Sequence, residues 1–153
     1  MTRKERQDRP ALLHEKLTDR VLGGFYQVDR ELGSGFAESV YAPAMECVLT
    51  DFGLRVEREV PIPVHFRGKQ IGLFRADMIV ESVVLLEFKA MREPDPQFEA
   101  QVLSYLRATR VEVGLLLYFN PKPTFKRLVF GNSRKLLPDL SASSARSATS
   151  AAK

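Results

Sequence analysis

The sequence lacks most of the features that mark secreted, disulfide-bonded or membrane-spanning proteins. Its 153 residues include one cysteine, Cys47, which excludes an intramolecular disulfide and a cysteine-rich zinc site. No apolar run approaches the ~20 residues that a membrane span requires. Residues 1–10 are charged and no apolar stretch follows them, so we expect no secretory signal. These absences predict a cytoplasmic protein that has no membrane partner.

Internal repeats and a glycine-rich phosphate-binding loop are also missing. Gly33-Ser34-Gly35 is too short for such a loop, which argues against a sugar or nucleotide enzyme that depends on one. A hydrophobic content of 44% is ordinary for a globular domain with a real core. The composition along the chain predicts three parts, which are a flexible basic arm over 1–10, a folded domain over 11–140 and a disordered Ser/Ala tail over 141–153.

The charge balance is mildly basic. The formal net charge is +4, which gives some support for a polyanionic partner such as nucleic acid. Much of the excess positive charge lies near the two ends of the chain, and basic tails are common on proteins that never touch nucleic acid. Charge alone therefore leaves both kinds of protein open.

The apolar periodicity of the first third predicts two helices. The first runs from about Leu12 and ends near Gly33, and the second ends at Gly53, which is a good C-terminal stop. Pro43 falls inside the second pattern. Either this helix begins near Ala42, with the proline in its first turn, or the helix is kinked at the proline.

Strand patterns dominate the rest of the chain. Pro61 and Pro63 predict that the segment around them lies at the edge of a sheet. The predicted elements are strands over 54–60, 64–67, 70–80, 83–89, 111–119 and 125–130, and a third helix that starts at the Pro94-Asp95-Pro96 loop and ends at about 107. This order predicts an α/β fold with a mixed central sheet, in which a helical crossover adds a late, fully buried strand.

Three charged residues interrupt the two most apolar strands of the centre. Asp77 lies in one strand, and Glu87 and Lys89 lie two apart in the next, so their side chains point to the same face. A short turn around Glu81-Ser82 would fold the first strand back against the second. Because an unpaired buried charge is costly, two carboxylates and one ammonium at one point suggest a divalent metal site with an activated water.

These residue types suit the hydrolysis of a phosphodiester. Asp77 and Glu87 supply the oxygen ligands that Mg²⁺ prefers, and the carbonyl of Phe88, between Glu87 and Lys89, could add another. Lys89 would orient or help to deprotonate the water and offset phosphate charge. The alternative for each residue taken alone is a structural salt bridge.

Three further polar residues are candidates for the same site. Gln101 and Tyr105 are four apart on the third helix and share one face, where an amide and a phenol can bind a phosphate, the lysine or the water shell of a metal. The alternative is an ordinary half-buried helix face. Glu38 lies at or near a helix start, where an acid can also act simply by complementing the helix dipole.

The ordered set of these residues resembles the PD-(D/E)XK nuclease superfamily in its RecB-like form. The set is Asp77, then Glu87-Phe88-Lys89, then Gln101 with Tyr105. The stretch over 35–41, which reads Gly-Phe-Ala-Glu-Ser-Val-Tyr, is similar to the name-giving motif of the GxxExxY protein family within that superfamily. The likeness extends over about 12–130, nearly the whole predicted domain.

The resemblance implies a restriction-endonuclease-like core of α-β-β-β-α-β order and a metal-dependent nuclease. It implies Mg²⁺ or Mn²⁺ at Asp77 and Glu87, with Glu38 as an additional acidic member. It also implies that Lys89 is the catalytic lysine and that Gln101 is its neighbour.

A nuclease needs a polyanionic partner, and DNA is the expected one. We expect basic residues near the site to contact the nucleic-acid backbone rather than base edges, because no recognition motif is visible. The candidates are Arg75, Arg92, Lys122, Lys126 and Arg127. The small size, without an added recognition domain, keeps a second hypothesis open. In that hypothesis the chain is a weakly catalytic or non-catalytic accessory subunit, and a second copy or a protein partner supplies specificity.

Overall fold

The structure is a computed structural model that describes residues 12–137 of the chain. The arm predicted over 1–10 and the tail predicted over 141–153 lie outside the described residues. The elements are α1 (Glu15–Leu32), α2 (Glu38–Asp51), β1 (Val56–Phe66), β2 (Lys69–Val80), β3 (Val84–Lys89), α3 (Pro96–Ala108), β4 (Val113–Tyr118), β5 (Thr124–Val129) and a 3-10 turn (Asn132–Arg134). Within 12–137, no helix is both long and apolar enough to cross a bilayer.

One mixed sheet of five strands forms the middle layer, in the order β1-β2-β3-β4-β5. Every neighbouring pair is antiparallel except β3 and β4, which are parallel and are joined by the α3 crossover. Helices α1 and α2 cover one face of the sheet, and α3 covers the other. The predicted α/β fold with a mixed sheet is confirmed, and the run from α2 to β4 has the α-β-β-β-α-β order of a restriction-endonuclease-like core.

Strands β3 and β4 are buried on both faces, which explains why their sequences are almost continuously apolar. Alternate residues serve two cores, so Leu86 packs toward α1 and α2 whereas Leu85 packs toward α3. Helix α3 lies close to β4 at Gly114. A Cβ atom at that position would lie 2.6 Å from the Val102 side chain, so only glycine permits this approach.

Helix α2 adopts one of the two arrangements that the sequence left open for Pro43. It begins at Glu38, so Pro43 is its sixth residue and lies inside the helix. Proline has no N–H to donate to the carbonyl of Ser39, and Ser39 is exposed, so water can replace the missing donor. The interior position that the sequence left open is therefore the one adopted.

Strand β1 is longer than the two separate strands that its prolines suggested. It runs without a break through Pro61 and Pro63, and it lies at the sheet edge as predicted. An edge strand needs donors only toward its single neighbour, so it tolerates residues that lack an N–H.

A tight turn joins β2 to β3, as the sequence predicted. Glu81 and Ser82 have φ values of 52° and 59°, and the Val83 N–H donates to the Val80 carbonyl at 3.1 Å. Two successive left-handed residues define a type I′ turn, whose twist matches an antiparallel hairpin. The turn fixes which residues of β2 and β3 face each other.

Candidate active site

The hydrogen-bonded ladder between β2 and β3 ends where the two strands carry their acidic residues. The last regular pair is Met78 with Leu86, and the same register puts Asp77 opposite Glu87. Here side chains replace the backbone ladder. The Asp77 N–H donates to Glu87 Oε1 at 2.9 Å, and the Phe88 N–H donates to Asp77 Oδ2 at 2.9 Å. Each carboxylate therefore binds the backbone of the facing strand, and the two acids are held together between the diverging strands.

Strand β2 is irregular at this point. Ala76 and Ile79 belong to the same core on the α3 side although they are three residues apart, whereas strict alternation would put them on opposite faces. Across the strand pair, Glu59 of β1 lies opposite Asp77 by register and has a φ of 51°. Such irregularities commonly re-aim a side chain beside a functional site. The irregularity in β2 lies where the Asp77 carboxylate points toward β3.

The environment of Glu87 disfavours its charged form. The residue is 4% exposed, and burial raises its pKa from an ordinary 4.5 to about 8. The negative charge of Asp77 adds to this rise in pKa, and the hydrogen bond from the Asp77 N–H and the charge of Lys89 oppose it. Without a cation, the carboxylate pair therefore retains a proton at neutral pH. Two desolvated acids in contact form a site that a divalent cation would stabilise.

Lys89 is held by an aromatic ring and not by an ion pair. Its Nζ lies 4.3 Å from the ring centroid of Phe98 on α3. In the part of the chain that the structure describes, no ion pair joins Lys89 to Asp77 or Glu87. Its charge nevertheless lowers the pKa of Glu87, so the ammonium acts on the carboxylate pair from a short distance. The ring leaves part of the ammonium available to water or substrate.

Gln101 and Tyr105 lie beside this cluster on the inner face of α3. Tyr105 is 4% exposed, and burial together with the charges of Glu87 and Asp77 raises its pKa, which keeps the phenol protonated. The Gln101 side chain lies near that phenol and partly opposes the rise in its pKa. Its Oε1 is among the few buried side-chain oxygens of residues 12–137 that have no hydrogen-bond partner. An oxygen in this state is ready to accept from an ammonium or a water.

Glu38 reaches the end of β3 because the loop before α2 is pinned by Tyr41. The Tyr41 hydroxyl donates to the Gly33 carbonyl at 2.8 Å, and its ring stacks on Phe119 with 4.0 Å between the centroids. Glu38 is the first residue of α2, and its Oε1 accepts from the Ala90 N–H at 3.4 Å. The spacing of Glu38 and Tyr41 thus has a structural reason, since the buried tyrosine positions the acid.

The acidic side chains do not form a three-member metal cluster. Within residues 12–137, no three His, Cys, Asp or Glu side chains converge in a way that could hold a metal ion. The structure therefore brings Asp77 and Glu87 together and places Glu38 just past the end of β3, at the Ala90 N–H. Two carboxylates suffice for Mg²⁺, which usually keeps several waters and takes further oxygens from substrate phosphates. The residues present fit such an ion.

Two of the predicted basic residues lie on loops that are tied together. The Asn120 side-chain amide donates to the Met91 carbonyl at 3.2 Å, and its Oδ1 accepts from the Lys122 N–H at 2.9 Å. Arg92 and Lys122 are both exposed on these loops. The loops follow the C-terminal ends of β3 and β4, so the two cations lie at the same end of these strands as Lys89, the last residue of β3.

The other predicted basic residues have carboxylate or backbone partners. Arg75 pairs with Glu59 at 4.0 Å, and Lys126 pairs with Glu99 at 3.7 Å, with all four side chains at least about a third exposed. Pairs this open are weak, so a phosphate can replace the carboxylate partner.

Arg127 is placed differently from the other basic candidates. Its guanidinium donates to the Leu13 carbonyl and, at 3.3 Å, to the Thr18 hydroxyl. These contacts fasten β5 to the start of α1, on the sheet face away from α3. Its position supports a structural role for this arginine.

Two aromatic residues of the site escaped the sequence reasoning. Phe98 contacts Lys89, and Phe74 contacts the ring of Tyr105, with 5.5 Å between the centroids. The helical spacing of 98, 101 and 105 puts Phe98 on the same face as Gln101, and that signal could have found it. No comparable signal marks Phe74, because its contact depends on the twist of β2.

The comparisons with known proteins give one strong result. No curated protein matches the chain by sequence. Among solved structures, the crystal structure of SSO0001 is similar at 19% identity with a TM-score of 0.47, over 95% of this chain and 78% of that chain. A TM-score below 0.5 marks a distant likeness, and the assignment does not depend on it. A family model described as the PD-(D/E)XK nuclease superfamily matches residues 15–128. Together with the topology and the paired acids, this match shows that the chain belongs to the PD-(D/E)XK nuclease superfamily.

Proposed function

We propose that the protein is a metal-dependent nuclease that hydrolyses phosphodiester bonds of DNA. The observation that carries the proposal is the contact between Asp77 and Glu87 at the point where β2 and β3 separate, with Lys89 on the same face of β3. Burying two acids side by side costs folding free energy, and groups held at such a cost cluster at functional sites. Metal-dependent phosphodiester hydrolysis uses two acids and an ammonium of this kind.

Asp77 and Glu87 would hold Mg²⁺ or Mn²⁺. The N–H of Phe88 points toward Asp77, and in an extended strand the carbonyl of the same residue projects to the same side, so it is a further candidate ligand. The ion, when bound, supplies an acidified water and neutralises charge on the phosphate. Glu38, next to the strand end, would join through the water shell.

Lys89, Gln101 and Tyr105 would act on the water and on the phosphate. The Phe98 ring fixes the Lys89 ammonium, which can then orient a water and stabilise charge on the scissile group. The unpartnered Oε1 of Gln101 can accept from that ammonium or from the water. The protonated hydroxyl of Tyr105 can donate to a phosphate oxygen.

Within the superfamily, the motif over 35–41 supports the proposal that the chain is a member of the GxxExxY family. The contacts of Tyr41 with Gly33 and Phe119 give this motif a function, because they place Glu38 beside the end of β3. A cytoplasmic location stays a prediction from the sequence.

One observation favours a second candidate function. Within residues 12–137 no third His, Cys, Asp or Glu side chain joins Asp77 and Glu87, so the ion would depend on water and substrate for its other ligands. The isolated chain would then bind nucleic acid and cleave it poorly. A second copy or a protein partner would then complete the site or direct it to a substrate.

The test is a cleavage assay on labelled linear, circular and single-stranded DNA with Mg²⁺ or Mn²⁺. We expect cleavage by the parent protein and its loss in Lys89→Ala. Lys16→Ala is the matched control, since Lys16 is exposed on α1 across the sheet. DNA binding without metal-dependent cleavage on all three substrates would favour the accessory subunit.

A further inference from the structure

A cavity of about 470 Å³ opens on the α3 side of the sheet, apart from the carboxylate pair. It lies between the β1–β2 hairpin, the C-terminal half of α3 and the segment that follows β5. Its volume is in the range of pockets that bind small ligands and cofactors. Apolar side chains form much of its wall, among them Val64, Phe74 and Phe130.

The rim of this cavity is cationic. The guanidinium groups of Arg107 and Arg134 lie 5.2 Å and 4.6 Å from the ring centroid of Phe130. Both arginines are exposed, and His65 lines the same space. None of the described residues that line the cavity is acidic. A ligand that complements these walls has a flat apolar part and a negative charge.

The segment that carries Arg134 is fastened to the rest of the fold. The Lys135 ammonium donates to the carbonyls of Thr109 and Val111 at 2.9 Å and 2.6 Å. Lys135 thus serves to hold the wall, whereas the two exposed arginines pack against the Phe130 ring. The cationic rim is therefore preorganised.

The cavity is also close to the candidate catalytic residues. Phe74 forms part of its wall and is 46% exposed, and its ring also contacts the Tyr105 ring, with 5.5 Å between the centroids. Tyr105 in turn lies within the field of Glu87 and Asp77, whose charges raise its pKa. The Phe74 and Tyr105 rings therefore connect the wall of the cavity with the neighbourhood of the carboxylates.

We propose that this cavity binds the base and the phosphate of an unpaired nucleotide that flanks the phosphodiester to be cleaved. The base stacks on the exposed ring of Phe74, and the phosphate pairs with Arg107 and Arg134. Bases of any kind stack on aromatic rings, and guanidinium groups match phosphate geometry. The substrate class that follows is single-stranded nucleic acid, or a duplex with a single-stranded end. This inference rests on the proposed nuclease function for its biological meaning, but the binding can be measured without cleavage.

The first measurement is calorimetry of the metal-free protein with thymidine 5′-monophosphate, inorganic phosphate and a short oligothymidylate. We expect the oligonucleotide to bind more tightly than the mononucleotide, and the mononucleotide more tightly than phosphate. Phe74→Ala and Arg134→Ala should each weaken nucleotide binding about tenfold, the loss of one stacking or charge contact. Arg30→Ala removes an exposed arginine from α1, on the other face of the sheet, and should leave binding unchanged.

The second measurement is the ratio of cleavage rates on single-stranded DNA and on blunt duplex DNA. We expect the parent protein to favour the single strand, and Arg134→Ala to move the ratio toward one while Arg30→Ala does not. Unchanged nucleotide binding in Arg134→Ala, or equal binding of phosphate and nucleotide, would overturn the assignment of the cavity even if cleavage is observed. Nucleotide binding that depends on Arg134 without any metal-dependent cleavage would instead overturn the proposed function and leave the binding site in place.

Discussion

Replacing Glu87 with glutamine should stabilise the metal-free protein, and the gain should grow with pH. Glu87 is buried, and its pKa is raised from 4.5 to about 8. Between these two values the folded state binds more protons than the unfolded state, so the stability of the parent protein falls as pH rises toward 8. Glutamine has a similar shape, keeps an oxygen that can accept from the Asp77 N–H, and carries no charge to desolvate.

The size of the effect follows from the shift in pKa. A pKa difference of one corresponds to about 1.4 kcal/mol, so the rise from 4.5 to about 8 gives an upper limit of about 5 kcal/mol above pH 8. Structural relaxation and water entry reduce this limit, and we expect an observed gain of about 2 kcal/mol. At pH 5 the parent carboxyl is largely protonated in the fold, so the difference between the two proteins should be small.

The assay is urea unfolding in the presence of a chelator at several pH values from 5 to 9. Glu31→Gln is the matched control, because Glu31 is exposed on α1. Lys135 also titrates near this range, since burial lowers its pKa to about 8, but it is present in all the proteins and cancels in the difference. A difference between parent and Glu87→Gln that does not change with pH, or a variant that is less stable at every pH, would refute the reasoning.

Three other predictions concern catalysis, packing and the loop before α2. Lys89→Ala should lower the cleavage rate by about 10²–10⁴-fold. Mn²⁺ binding measured by calorimetry should be retained, because the substitution removes no metal ligand. Cleavage rates equal to those of the parent protein would show that Lys89 has no part in the mechanism. Gly114→Ala should destabilise the fold by about 1–3 kcal/mol in urea unfolding, because the added Cβ meets Val102 at 2.6 Å; a stability equal to that of the parent would contradict this packing. Tyr41→Phe should cost about 1 kcal/mol in the same assay, because it removes the hydrogen bond to Gly33; an unchanged midpoint would mean that the bond contributes nothing.

The fold was predictable because its signals are local. The strongly apolar run over 111–119 predicts a strand buried on both faces, and β4 is such a strand. Pro61 and Pro63 predict an edge, and β1 is one. The sequence left two positions open for Pro43, because the sequence rule weighs the proline and not the solvent exposure of Ser39, which makes the lost hydrogen bond inexpensive; the structure has the proline inside α2.

The acidic residues of the candidate site could be predicted from the sequence, but the contacts around them could not. Strand parity and the short turn bring Asp77 opposite Glu87, and both facts are readable from the sequence. The replacement of the ladder by side-chain hydrogen bonds depends on where the strands diverge, which is set by twist across the whole sheet. The contact of Lys89 with Phe98 depends in the same way on how α3 packs on the sheet.

The measurement that tests the central claim most directly is a Mn²⁺ titration by calorimetry at pH 7, repeated in two buffers of different ionisation enthalpy. If Asp77 and Glu87 form the metal site, the parent protein binds Mn²⁺ and releases about one proton, because the raised pKa of Glu87 means that the pair is protonated before the ion arrives. Asp77→Ala should bind far more weakly, and the control Asp51→Ala, an exposed acid on α2, should bind as the parent does. Undiminished Mn²⁺ binding by Asp77→Ala, or binding without proton release, would contradict the assignment of the site.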